Sequence, residues 1–283
     1  MVVGRSGFAG CVVLAWFCVQ VGGGRELLSI EPDYVKAVQE SIDVVTVTNL
    51  DNLPLKRVSA YKWANSASPQ QVGQLHLFVL DDMRPVASSK IGPTVARFRE
   101  KPDPNNTQID HVIVSMTDQP LLCKFGDKVI WQASPTNTQF TRFLQTPEPH
   151  VTASLRLSQA KTLSREFSAQ IDESEAVHAS SSREMRLLAA PVYRYGSQDH
   201  NSPGTIDGFL FVFVVEGGNP TTFCHIEAIR EKDVVSWQYA ISRRGVSGQL
   251  VRYRGSKIWD APRISDSVRS QSLFRIKDPR ANL

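Results

Sequence analysis

The sequence predicts an α+β protein, mainly antiparallel β, built as an internal duplication of a helix-plus-five-strand unit in a pseudo-twofold arrangement. Three observations lead there: ordered self-similarity, strand-like runs bounded by turn residues, and a helical stripe ahead of each set of strands. The self-similarity has three blocks. Residues 55–63 (LKRVSAYKW) lie on 187–195 (LLAAPVYRY) at an offset of 132, matching Leu55 with Leu187, Tyr61 with Tyr193 and Trp63 with Tyr195. At an offset of 135, residues 73–79 (GQLHLFV) lie on 208–214 (GFLFVFV), followed by Pro85 with Pro220 and Ile91 with Ile226. Finally 109–133 runs without a gap on 237–261 at an offset of 128, bringing Ile130-Trp131 onto Ile258-Trp259. Alternation alone makes strands look alike, but it does not place a tyrosine, paired Gly/Pro punctuation and an Ile-Trp pair in one order.

Along the chain, residues 1–24 read as a signal peptide. Arg5 supplies a positive start, residues 8–21 (FAGCVVLAWFCVQV) carry no charge, and Gly22, Gly23 and Gly24 offer small residues for cleavage. The apolar run falls short of the ~20 residues that span a bilayer, so the membrane is involved only if this segment stays uncleaved. The expected location is secreted, periplasmic or cell-envelope.

The first repeat unit is assigned to 25–140. Pro32-Asp33 starts a helix carrying Tyr34, Val35, Val38 and Ile42, and strands follow near 53–63, 73–81, 85–92, 109–117 and 120–132. Asp81-Asp82 marks a hairpin turn, and Gly126-Asp127 marks a turn or bulge in the last run. The second unit, 141–264, begins with a helix in 155–172, whose stripe is Leu155, Leu157, Ala160, Leu163, Phe167 and Ile171. Its polar face holds Arg156, Lys161 and Glu166. Segments 134–154 and 173–183 read as linker and loop. Residues 265–283 read as a basic C-terminal tail. The connections are too short for parallel crossovers.

Composition excludes several classes. The chain has 283 residues, 41% hydrophobic and 21% charged, with a formal charge of +4. Removing residues 1–24, which carry only Arg5, leaves +3, too mild for a nucleic-acid surface. Cys11 and Cys18 leave with the signal. Cys123 and Cys224 remain, read as buried small side chains in preference to one bridge. Asn105-Asn106-Thr107 fits a glycosylation acceptor pattern.

The second half, from 182 (SREMRLLAAPVYRY … IDGFLFVFVVEGGNP … WQYAISR … KIWDAP), together with 163–169 (LSREFSA), resembles a family of exported hypothetical proteins of planctomycete bacteria. The chain departs from that pattern at Thr221 and at Phe223-Cys224-His225. The resemblance implies export but no activity, since the family has none assigned.

No catalytic, cofactor-binding or metal-ligating residue is singled out, and no cofactor is implied. There is no G-x-S-x-G, H-E-x-x-H, phosphate loop or G-x-G-x-x-G. His76, His111 and His225 invite a zinc hypothesis, yet their repeat positions are Phe211, Tyr239 and Lys90, which reads as packing or surface. In Cys224-His225 with Glu227, only His225 and Glu227 share a strand face. Asp110 and Asp207, near strand starts, are candidates for a carboxylate pair. The aromatic set Trp63, Phe78, Phe125 and Trp131, recurring as Tyr195, Phe213, Tyr253 and Trp259, reads as core before it reads as a ligand cleft. The expected function is a non-enzymatic extracytoplasmic binding or structural protein, with an envelope protein or polysaccharide as partner class. The alternative is a hydrolase or small-ligand binder with its site between the repeats.

Overall fold

The computed structural model describes residues 32–65, 68–93, 109–133, 138–172, 182–264 and 273–277. The proposed signal peptide, the Asn105 acceptor and most of 173–183 lie outside them. The described residues are mostly antiparallel β with two α-helices.

The first half contains α1 (Pro32–Asp43), β1 (Val45–Thr48), β2 (Lys56–Asn65), β3 (Ser68–Val79), β4 (Pro85–Pro93), β5 (Ile109–Ser115), β6 (Leu121–Phe125) and β7 (Lys128–Ala133). β8 (Thr141–Arg142) leads into α2 (Ala153–Ser164), β9 (Phe167–Asp172), β10 (Ser182–Leu187), β11 (Tyr193–Tyr195), β12 (Gly204–Val214), β13 (Pro220–Glu231), β14 (Val234–Arg243), β15 (Gly248–Tyr253), β16 (Ser256–Ala261) and β17 (Leu273–Lys277). Three sheets result: β1-β6-β7, then β17-β5-β4-β3-β2, and a nine-stranded sheet β16-β15-β9-β10-β12-β13-β14-β8 with β11 added on β12.

The pairings of the first half recur in the second. Tyr61 opposes Leu75 and Trp63 opposes Gly73, as Tyr193 opposes Leu210 and Tyr195 opposes Gly208. His76 opposes Ser89, as Phe211 opposes Cys224. Ile91 opposes His111, as Ile226 opposes Tyr239. Even the irregularities correspond: bulges fall between Phe78 and Val79 and between Phe213 and Val214, and again between Cys123 and Lys124 and between Val251 and Arg252. The turn after β3 is closed by Leu80 N donating to Arg84 O and Met83 N to Leu80 O; after β12, Val215 N donates to Asn219 O and Gly218 N to Val215 O. Met83 (φ 66) and Gly218 (φ 80) hold the same left-handed position. That conformation is inexpensive for glycine and strained for methionine.

Several sequence expectations need correction. Residues 167–172 are strand β9, not the end of a helix. Leu163, Phe167 and Ile171 fit a helical spacing, but Phe167, Ala169 and Ile171 also fit a period of two, and within 167–172 these three are the buried positions. Pairing decides the conflict, since β9 bonds β15 on one side and β10 on the other. β1 follows α1 in the same way. Matching Leu55 with Leu187 also fails: Leu187 opposes Phe213 as Arg57 opposes Phe78. The run is broken at residues 188–192, where β10 stops and β11 starts, and Pro191 has no N–H to give a ladder. The 120–132 run is divided, as its Gly126-Asp127 turn signal implied, into β6 and β7. Within the basic tail, Leu273–Lys277 forms β17 and pairs along β5 from Asp110 to Val114.

Arg156 is the largest reversal. Placed on the polar face from sequence, it is fully buried, at 0% exposure. Its Nε donates to Asp207 Oδ2 at 2.9 Å, and its terminal nitrogens donate to the carbonyls of His150, Val151 and Gln198. Arg194 grips the same carboxylate at 2.7 and 2.6 Å. A guanidinium can sit among apolar neighbours only when nearly every donor is answered.

Three apolar clusters organise the packing. One joins α1 (Val38, Ile42) to β1, β4, β5, β6 and β7. A second joins α2 (Ala160, Leu163) to β9, β12, β13 and β15. The third lies between the halves, where Trp63, Leu75, Leu77, Val79 and Met116 meet Leu210, Val212, Val214 and Phe223. β3 and β12 are therefore covered on both faces, by their own helix-side layer and by the other half. Runs apolar on both alternating sets require that.

Candidate functional site

The inter-half face carries one concentrated set of polar groups. β13 alternates Cys224, Ile226 and Ala228 into the α2 cluster, which turns Phe223, His225 and Glu227 towards the first half. Glu227 is fully buried at 0% exposure. Tyr195 Oη donates to its Oε1 at 2.8 Å, and Gln238 Nε2 donates to Oε2 at 2.7 Å. Arg84, on the turn between β3 and β4 of the other half, donates to Oε2 at 3.2 Å and also to Thr205 Oγ1. Burial raises the Glu227 carboxyl above the usual carboxylate range, opposed by Arg84, Gln238 and Tyr195. Burial, followed by the charge of Glu227, raises the Tyr195 phenol well above its ordinary value. His225 is buried beside Phe140, whose ring lies 6.1 Å away, and burial lowers it to about 3. It is a neutral imidazole at ordinary pH.

Among the described residues the first half has no such set. By register, Gly92 stands for Glu227 and Asp110 for Gln238, and Trp63 for Tyr195. Lys90, in the place of His225, lies 5.4 Å over the Trp63 ring. The asymmetry was within reach of the sequence alignment, but only the fold brings Arg84 from one half onto the carboxylate of the other.

The residues flagged from sequence do not converge. His76 is buried, bonds Gln74 Oε1 at 3.2 Å and is lowered by burial to about 4. His111 bonds Ser41 of α1 at 2.5 Å. Both belong to the first half, whereas His225 faces the inter-half layer from the second. Among the described residues, no group of three or more His, Cys, Asp or Glu is arranged to hold a metal. Asp207 is not paired with Asp110: Asp207 is clasped by Arg156 and Arg194, while Asp110 lies on β5 opposite Gly92. Cys123 and Cys224 are free and buried, and burial pushes Cys123 up to about 12.

Of the aromatic set, Trp63, Phe78, Trp131, Tyr195 and Phe213 are buried, while Phe125, Tyr253 and Trp259 pack partly exposed at the cluster margins. A shallow hollow of about 140 Å3 is lined by Gln139, Thr141, Tyr239, Ile241, Ile258 and Trp259. Another of about 270 Å3 lies by Ser164, Phe167 and Leu187. Neither reaches Glu227 or a histidine. No described helix is long and apolar enough to cross a membrane. No protein-family model, curated protein or solved structure matches the chain.

Proposed function

We propose that this is an exported, non-enzymatic binding or structural protein, formed by duplication of one helix-plus-strands unit and fused face to face about a pseudo-twofold axis. The observation that carries this reading is the filled space between the halves. Where a substrate between two repeats would lie, leucines, valines and aromatics from both sides are in contact. Glu227, the buried carboxylate found there among the described residues, has both oxygens occupied by Tyr195, Gln238 and Arg84. The common strand registers and matching bulges support duplication, and the apolar stretch ending at Gly24 supports export. Kinship with the exported planctomycete family and an envelope partner, protein or polysaccharide, belong to the same proposal.

The second reading, a hydrolase centred between the halves, is favoured by one feature: a buried acid with a raised proton affinity beside a phenol. The two are separated by one set of measurements. In a native-like host the chain should be recovered outside the cytoplasm with an N-terminus near residue 25. It should co-sediment with isolated envelope material and turn over no ester, phosphoester, glycoside or peptide substrate. Turnover abolished by E227Q would establish the hydrolase instead, and a cytoplasmic chain retaining Met1 would remove the export claim.

A further inference from the structure

The end of the second half where β13 begins, β14 ends and β15 begins differs in chemistry from its counterpart in the first half. Thr222 opposes Arg243 as Ala87 opposes Ser115. Arg244 N donates to Thr221 O at 3.0 Å, as Met116 N donates to Val86 O at 2.8 Å. Gln249 opposes Ala261, as Leu121 opposes Ala133. So Thr221, Thr222, Arg244 and Gln249 occupy positions that the first half fills with Val86, Ala87, Met116 and Leu121, all buried apolar residues. The fold itself does not require polarity at any of them.

The groups added at this corner are left-over donors. Arg244 is 3% exposed, and its Nε and Nη2 are buried without an acceptor among the described residues. Gln249 Oε1 is used, accepting from Thr222 Oγ1 at 2.8 Å, but its Nε2 is buried and unanswered. Arg243, beside it in sequence, donates to the carbonyls of Gly245, Pro262, Val246 and Ser247. Burial lowers Arg243 to about 10 and Arg244 to about 9. Burying a guanidinium without an anion is unfavourable, so a position that accepts methionine in one half gains nothing in stability from arginine in the other.

We propose that this corner is an anion-binding site, with Arg244 as the ligand-binding residue, for an oxyanion of the phosphate, sulfate or carboxylate type. Every unanswered group named here is a donor, and an oxyanion presents only acceptors. Arg243 holds the turn 244–248 through its carbonyl contacts and so positions Arg244. The site lies at a strand end beside the half-buried turn Gly245, Val246 and Ser247.

The variant R244M installs the residue that the first half uses at this place, so folding is expected to survive. Calorimetric titration and thermal unfolding of the mature chain, at fixed ionic strength in chloride, would use inorganic phosphate, sulfate and acetate as separate probes. The expected result is a saturable rise in the wild-type midpoint with at least one probe, affinity weakened about tenfold or more in R244M, and an R244M protein more stable than wild type without the anion. Phosphate and sulfate acting where acetate does not would assign a tetrahedral oxyanion; acetate alone would assign a carboxylate. No response in the wild type, an equal response in R244M, or an R244M protein less stable in chloride would each overturn the proposal.

Discussion

The ring of Tyr195 occupies the space that a side chain at Gly208 would need: a Cβ built there stands 2.2 Å from Tyr195 Cε2. Gly73 and Trp63 repeat the relationship, at 2.0 Å from Trp63 Cζ2. Both aromatic residues stack on a tyrosine two residues earlier, Tyr193 and Tyr61, with centroids 6.0 Å apart and planes at 18° in each case. A cross-strand glycine thus lets an aromatic ring lie against the sheet in each half.

G208A is therefore expected to destabilise the fold by several kcal/mol, because Tyr195 is 2% exposed, bonded to Glu227 and has nowhere to swing. G73A should act in the same direction. Urea unfolding midpoints measure both, and a G208A midpoint within error of wild type would contradict the close approach.

The Asp207 clasp gives a second prediction. D207N keeps the shape of the side chain but leaves Arg156, at 0% exposure, with a buried charge and no anion. Removing one partner of a buried pair costs about 3–5 kcal/mol, so D207N should lower the thermal midpoint by far more than removal of the exposed pair Arg142–Glu231 through E231Q.

Glu227 sets a pH dependence. Its folded-state value is raised above the ordinary 4.5 by burial. The stability linked to its protonation is fully present below the ordinary value and is lost as pH rises through the raised folded value. The stability of wild type relative to E227Q should therefore increase as pH falls from neutral towards 4.5, even while other carboxylates weaken both proteins. A difference independent of pH over that interval, in paired denaturant titrations, would contradict the raised value.

Cys123 and Cys224 are buried and unbridged. A thiol reagent should label neither in the native protein and both after unfolding. Reduction should form no new thiol at Cys123 or Cys224, as read by alkylation of the unfolded protein with and without reductant.

Much of the strand pattern was legible from residues 73–92 and 109–133, because strands apolar on one or both alternating faces and closed by Gly, Pro or Asp turns carry their signal locally. The helix-to-strand boundary at Phe167 was not, because Leu163, Phe167 and Ile171 satisfy a period near four while Phe167, Ala169 and Ile171 satisfy a period of two. Only the ladders to β10 and β15 choose between them. The tail residues 273–277 were unreadable for the same reason. An edge strand with alternating charge declares itself only when β5 is there to receive it.

By itself the sequence determined the mainly antiparallel β class, the position of most strands along the chain, and the need to cover both faces of 73–79 and 208–214. These follow from local periodicity and turn chemistry, which act over a few residues. Tertiary structure alone decided that Arg156 belongs inside, that Arg84 of one half neutralises Glu227 of the other, and that Arg244 is buried with donors unanswered. Burial and charge pairing join groups far apart in the chain, 51 residues for Arg156 and Asp207 and 143 for Arg84 and Glu227. No local pattern records which distant group a side chain will meet.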